Sequence, residues 1–337
     1  MGLSEADRNR LLRRVQHEVP FIERPFAAIA ADLGFHEDEV LAELRALRES
    51  GLLREISAVL EGSALGYDSA LVACAVEPAD LARVVEVVSA HPTVTHNYLR
   101  EHAYNLWFTI AVPEEMGLDA TLRALAAAAG VGAFHALRRT TTFKIGVNFD
   151  LESGTNQTDA QEIAAVAPFR PDKREQGILR ALQTPLPLES RPFDELARAC
   201  GCSTGELLDF ARSHLGGAIR RYVGTLRHRK AGVRANGMAV WNVADPDLQR
   251  IGKTLAAAPE VSHCYARNAI PGFPYTLYSM LHAQTREACL AIASRLASEV
   301  AVADYTVLFS VEEYKKVRLR YFLPELDDWW QANAGRT

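Results

Sequence analysis

RPFAAIAADLGFHEDEVLA, residues 24–42, returns as RPFDELARACGCSTGELLD, residues 191–209. Downstream, PTVTHNYLR (92–100) returns as PEVSHCYAR (259–267). Both pairs stand 167 residues apart. A constant offset of that length denotes a duplicated set of domains, because solenoid and propeller repeats recur at roughly 20–50 residues. The chain is therefore a pseudo-dimer written into one polypeptide. What one copy keeps and the other lacks then becomes a source of functional information.

Reading outward from the first copy, residues 4–18 have a helical apolar pattern with Ser4 as N-cap, and residues 25–33 and 37–49 give two short amphipathic helices around Gly34. The second of these stops at Ser50-Gly51, and 52–60 alternates as a strand. This is the outline of a winged helix-turn-helix. Beyond Gly66 the pattern changes: strand 69–77, helix 80–90, strands 94–99 and 104–111, an alanine-rich helix 118–129 and a strand 134–146. That βαββαβ order is the ferredoxin-like sandwich. The second copy repeats both parts.

The expected fold class is α+β, a tandem duplication of a winged helix-turn-helix followed by a ferredoxin-like βαββαβ sandwich. The expected domains are helix-turn-helix at 1–62, ferredoxin-like at 63–150, a linker at 151–171, helix-turn-helix at 172–229, ferredoxin-like at 230–324 and a tail at 325–337.

The 337 residues are 48% hydrophobic and 23% charged, ordinary values for a globular protein. No apolar run approaches membrane-span length, and the N-terminus reads without a signal core. Five scattered cysteines without a CxxC pair favour reduced thiols, hence a cytoplasmic location. The net charge of −5 gives no general attraction to nucleic acid.

The helices in the recognition position argue against DNA more directly. HEDEVLAELRALRES (36–50) opens with Glu37, Asp38 and Glu39, and STGELLDFARSHLG (203–216) sets Glu206 and Asp209 against Arg212. A reading helix needs polar and cationic groups facing bases and phosphates. Acidic first turns also complement the helix dipole, so each residue alone has an ordinary structural reading.

The chemistry-bearing stretch is VTHNYLREHAYNLWFTI, residues 94–110. On a strand His96, Tyr98 and Arg100 share one face, with His102 just beyond, and the second copy sets His263, Tyr265 and Arg267 in the same alternation. An imidazole, a phenol and a guanidinium in one row can handle a proton and clamp a carboxylate. The plain alternative is a row that covers a sheet face or a dimer contact. A second feature is asymmetric: Arg227, His228, Arg229, Lys230 and Arg234 form a cationic cluster where the first copy has Glu61, Gly62 and Ser63. The cluster reads either as a solvated basic wing or as the seat of a polyanionic small ligand. Arg138, Arg139, Lys144, Lys315 and Lys316 add cations on the last strand of each half. The loop 268–275, NAIPGFPY, carries four residues more than its counterpart and reads as a pocket lip or a hairpin tip. His282 reads as structural. No metal-ligand spacing, P-loop or dinucleotide fingerprint is present.

A winged helix joined to a ferredoxin-like sandwich resembles the Lrp/AsnC regulators. HNYLREHAYNLWFT in the first half, and RHRKAGVRANGMAVW, VSHCYAR and EEYKK in the second, resemble more specifically the siroheme decarboxylases in their fused two-subunit form. These Lrp/AsnC-like proteins act in heme d1 biosynthesis and the alternative heme pathway. The resemblance covers all but the linker and tail. It implies cofactor-free removal of two acetate carboxyls from siroheme, giving 12,18-didecarboxysiroheme, with the iron tetrapyrrole as substrate. On that reading His96, His102, His228 and His263 are candidate proton donors, one of them alternatively an iron ligand. Tyr98, Arg100, Arg227, Arg229, Lys230, Tyr265 and Arg267 are candidate substrate contacts for the eight carboxylates. Trp107, with Tyr104 and Phe273, is a candidate stacking surface or ordinary core. The basic cluster places the main site in the second half, with the first half either contributing residues across the interface or holding a degenerate second site. The implied partners are siroheme and other iron tetrapyrroles, with no nucleic acid, no membrane, and a pseudo-heterodimer within the chain; a further homodimer stays open. The alternatives are a ligand-responsive Lrp/AsnC-like regulator and a tetrapyrrole-binding protein without turnover.

Overall fold

The computed structural model describes residues 3–145, 148–149, 156–157, 166–226 and 235–336. In chain order the first half contains α1 (Glu5–His17), α2 (Pro25–Leu33), α3 (Glu37–Glu49), β1 (Leu53–Leu60), β2 (Tyr67–Cys74), α4 (Leu81–Ala90), β3 (His96–Arg100), β4 (Leu106–Pro113), α5 (Leu118–Ala129) and β5 (His135–Ile145). Two short strands follow, β6 (Asn148–Phe149) and β7 (Asn156–Gln157). The second half contains α6 (Lys173–Leu182), α7 (Phe193–Cys200), α8 (Thr204–His214), β8 (Ile219–Leu226), β9 (Ala235–Trp241), α9 (Asp245–Ala257), β10 (Val261–Arg267), β11 (Leu277–Ala283), α10 (Arg286–Val300) and β12 (Tyr305–Lys316), followed by α11 (Pro324–Asn333) and a 3-10 turn at Ala334–Arg336.

These elements sort by kind, not by half. One compact unit gathers Met1–Tyr67, Ala165–Arg229 and Arg320–Leu323, and the other gathers Asp68–Ala164, Lys230–Leu319 and Pro324–Thr337.

In the first unit, the caps set the helix limits. The Ser4 hydroxyl accepts from Asp7 N, and Gly34 ends α2 at φ 79°. The repeated Arg-Pro-Phe has a packing reason: Pro25 begins α2, and Phe26 and Phe193 are fully buried. β1 and β8 pair antiparallel, with Ser57 opposite Val223, so the two helix-turn-helix halves share one ribbon. Phe21 closes the core between them, 4.7 Å from Tyr222 and 5.9 Å from Phe193. The end of the expected linker also packs here, with Phe169 N donating to Ala64 O at 2.7 Å.

In the second unit each half forms a four-stranded antiparallel sheet, β3-β4-β2-β5 and β10-β11-β9-β12, the ferredoxin-like order. The sheets join at both edges, β12 to β3 and β5 to β10, and close an eight-stranded barrel. Closure removes all four sheet edges. Helices α4 and α5 cover the first sheet through Val72, Val84, Val88, Phe108 and Leu125, and α9 and α10 cover the second through Trp241, Leu255, Cys264 and Leu296.

The inner faces of the two sheets meet in a third cluster that includes Ala73, Trp107, Leu137, Met238, Phe273, Tyr278 and Leu308. Paired clasps hold the seams. Lys144 Nζ donates to Ala258 O at 3.0 Å, at the end of α9; Lys315 Nζ donates to Ser89 O at 2.6 Å and His91 O at 3.1 Å, at the end of α4. Each ammonium sits at the negative end of a helix dipole belonging to the opposite half.

The tail is the helix α11, and Trp329 packs edge-on to His91 at 4.3 Å between ring centres.

Candidate active site

Asn97 Nδ2 donates to Ser89 Oγ of α4 at 3.0 Å, so Asn97 faces the helical layer and alternation turns His96, Tyr98 and Arg100 to the inside of the barrel. Cys264 and Ala266 lie in the core under α9 and α10, which turns His263, Tyr265 and Arg267 inward as well. Both rows therefore line one lumen, along the two seams where the halves join.

The rows obey the internal symmetry closely. Arg100 Nη1 donates to Leu308 O at 2.9 Å, and Arg267 Nη1 to Leu137 O at 2.8 Å. Leu137 and Leu308 are counterparts once the inserted loop lengthens the offset to 171. Arg100 lies over Tyr98 at 5.5 Å and Arg267 over Tyr265 at 5.4 Å. Burial draws each guanidinium down to about 10, which leaves both charged at neutral pH. Neither Nε has an acceptor among the described residues. A buried cation with an unused donor can bind an anion where its surroundings admit one.

The histidines are wired to hydroxyls. His96 Nδ1 lies 3.0 Å from Thr95 Oγ1 and 3.3 Å from Thr109 Oγ1. His263 Nδ1 lies 2.9 Å from Ser262 Oγ, which lies 2.6 Å from His282 Nε2, and His282 Nδ1 lies 2.6 Å from Asn236 Oδ1. His282, read from sequence as structural, is thus the second imidazole of a chain behind His263. A hydroxyl residue precedes the histidine in both copies, Thr95 and Ser262, but only the pairing of β10 with β11 brings His282 to Ser262.

His102 does not join its row. It sits at the β3–β4 turn, accepts from Tyr104 N at 3.0 Å and faces the Phe273 edge at 5.2 Å, and burial lowers its pKa. Trp107 is 1% exposed, packed 5.4 Å from Phe273, with Nε1 donating to Tyr104 O at 2.6 Å. Of the two readings that the sequence leaves open, stacking surface or core, this packing is that of core, with Phe273 over the ring. The 268–275 loop supplies that cover: Tyr104 donates to Pro271 O at 2.6 Å, and Phe273 is 1% exposed. Through Ile270, Phe273 and Tyr275 the loop packs into the inner cluster of the barrel. Arg227, His228, Arg229, Lys230 and Arg234 lie outside the described residues.

An open cleft enclosing about 140 Å3 runs over the inner face of the first sheet, from Thr95 and Thr109 to Arg139 and Arg267. It therefore connects the hydroxyl cluster at His96 with the cations of the β5–β10 seam.

A profile described as the siroheme decarboxylase NirDL-like HTH domain matches residues 8–54 and 175–218, and one described as the AsnC-like ligand binding domain matches 64–144 and 230–315. The siroheme decarboxylase of Hydrogenobacter thermophilus is 36% identical over 96% of this chain and 97% of its own. The chain belongs to the siroheme decarboxylase family. Within that family, the crystal structure of NirDL in complex with an iron-uroporphyrin III analogue superposes with a TM-score of 0.82, at 31% identity, over 98% of this chain and 99% of the other. The siroheme decarboxylase beta subunit of Methanosarcina barkeri matches 44% of this chain over 99% of its own length at 37% identity. A protein that is one subunit there corresponds to one half here, as the duplicated sequence and the two intramolecular seams require. No helix among the described residues is long and apolar enough to cross a membrane.

Proposed function

We propose that this chain decarboxylates siroheme at two acetate side chains, yielding 12,18-didecarboxysiroheme and two molecules of carbon dioxide. Family membership supports the reaction class. The observation that carries the site is the pair of inward His-Tyr-Arg rows, each with a buried guanidinium holding a spare donor. Each step breaks the bond between the methylene and the carboxylate carbon. The electron pair passes toward the pyrrole, carbon dioxide leaves, and a proton delivered to the exocyclic carbon completes a methyl group. Arg267 and Tyr265 would hold carboxylates, joined by Arg227, Arg229 and Lys230 of the basic cluster, with Arg100 and Tyr98 as their counterparts on the other seam.

Of the four histidines we favour His263 as donor. Its Ser262–His282 chain offers a path for reprotonation, a feature of general acids that must turn over. His96 follows, and His102, occupied by Tyr104 N, has weaker geometry than either; His228 stays a candidate on sequence alone. The step as written draws only on a proton and on the substrate's own ring. The helix-turn-helix domains serve assembly in this reading: Glu43 is tied to Arg8 at 2.5 Å and Glu206 to Arg174 at 2.7 Å, and the exposed start of α3 is acidic. The five cysteines are free, which suits a cytoplasmic protein.

The test is anaerobic incubation of the protein with siroheme, without additives, followed by mass spectrometry of the extracted tetrapyrrole. Loss of two carbon dioxide units is the expected result. Recovery of intact siroheme bound to the protein would replace the enzyme reading with that of a carrier.

A further inference from the structure

The two seams share a backbone and differ in charge. On the β5–β10 seam Arg267 pairs with Arg139 and Tyr265 with Thr142. On the β3–β12 seam Arg100 pairs with Ser310 and Tyr98 with Glu313. The register breaks fall at corresponding positions in both seams. The comparison is therefore residue for residue: where one seam carries an arginine and a threonine, the other carries a serine and a glutamate.

Arg139 lies over Tyr265 at 5.7 Å, beside Arg267, and both line the cleft. The carboxylates of Asp68 and Asp119 go to the neighbouring Arg138, at 3.5 Å and 2.8 Å. Glu313, by contrast, hydrogen-bonds Tyr98 and lies 3.6 Å from Lys316. The cleft is smaller than the roughly 300–1,000 Å3 of pockets that enclose a whole drug-sized ligand. It suits a carboxylate side arm, with the macrocycle outside it.

We propose that Arg139 is a carboxylate-binding residue of the β5–β10 seam, and that Ser310 and Glu313 close the β3–β12 seam to polyanions, so that two structurally equivalent seams yield a single substrate site. This rests on the tetrapyrrole-binding reading above. Two unit charges separate the seams, and a polyanion senses both, since opposite charges attract and like charges repel across the same few ångströms.

The test is an absorbance titration of the full chain with iron-uroporphyrin III, recording equivalents bound and affinity. The wild type is expected to bind one equivalent. Arg139→Ser and Thr142→Glu are each expected to weaken binding at least tenfold, and Ser310→Arg/Glu313→Thr to add a second equivalent. Each substitution installs the residue that the opposite seam already tolerates at that register, and thermal melts confirm folding. Wild-type affinity in both Arg139→Ser and Thr142→Glu, a second equivalent in the wild type, or one equivalent in the double variant would overturn the proposal. A wild type that binds none would instead remove the tetrapyrrole reading itself, so the two failures are distinct.

Discussion

His263 and Arg267 each stand two residues from Tyr265, on opposite sides of it, and the chemistry assigns them different losses. A general acid contributes roughly 10²–10⁴-fold in rate, so His263→Ala is expected to lower single-turnover decarboxylation at least 100-fold while a tetrapyrrole titration stays near wild type. Ser262→Ala leaves the imidazole and removes the hydroxyl linking it to His282, so a loss nearer tenfold is expected, in the steady-state rate more than in the first turnover. Arg267→Gln removes the charge, and the expected loss is in affinity, about tenfold or more. The same division applies to His228→Ala against Arg227→Ala. Normal turnover in all of these variants would sink the site assignment and leave the family membership standing.

At the scale of elements, the packing of β9 and the end of α4 each make a stability prediction. Gly237 lies where an added Cβ would meet Val307 Cγ1 at 2.6 Å and Cys289 Sγ at 2.8 Å. Gly237→Ala should therefore cost about 1–3 kcal/mol by overpacking, read from chemical denaturation. His91 ends α4, fully buried under Trp329. Burial, and then the charge of Lys315, hold its pKa down to about 3 from an ordinary 6.5. Its folded pKa is depressed, so its stability contribution is intact above 6.5. Below that the unfolded chain takes up a proton that the folded chain refuses, and stability falls toward pH 3 by on the order of 1.4 kcal/mol per unit. His91→Gln should flatten the acid limb between pH 6.5 and 5 in urea titrations. An unchanged slope would mean that other groups dominate acid unfolding.

At the scale of the molecule, the repeat and the βαββαβ order were legible because duplication preserves core positions such as Phe26 and Phe193, and because Gly34 and Ser50-Gly51 punctuate the helices. The inward rows were legible because alternation needs only one strand. The closed barrel was not, since edge pairing between halves is a long-range choice that no local pattern encodes. Arg139 appeared as one cation among several because its value depends on the strand beside it, and His282 appeared isolated for the same reason. Trp107 shows the converse: an aromatic on a strand says nothing of what will cover it, here Phe273 from an inserted loop. Barrel closure and the β1–β8 ribbon both join one half to the other, which leads to a final expectation. Residues 1–150 and 166–337, co-expressed as separate chains, should purify together as a 1:1 complex that melts close to the intact protein. Each chain alone would present β1 or β8, and both edges of its sheet, unpaired, and should self-associate or precipitate. Sedimentation of each fragment decides the matter. A stable monomeric half with the native melting temperature would mean that the seams contribute little to folding and do not define where substrate binds.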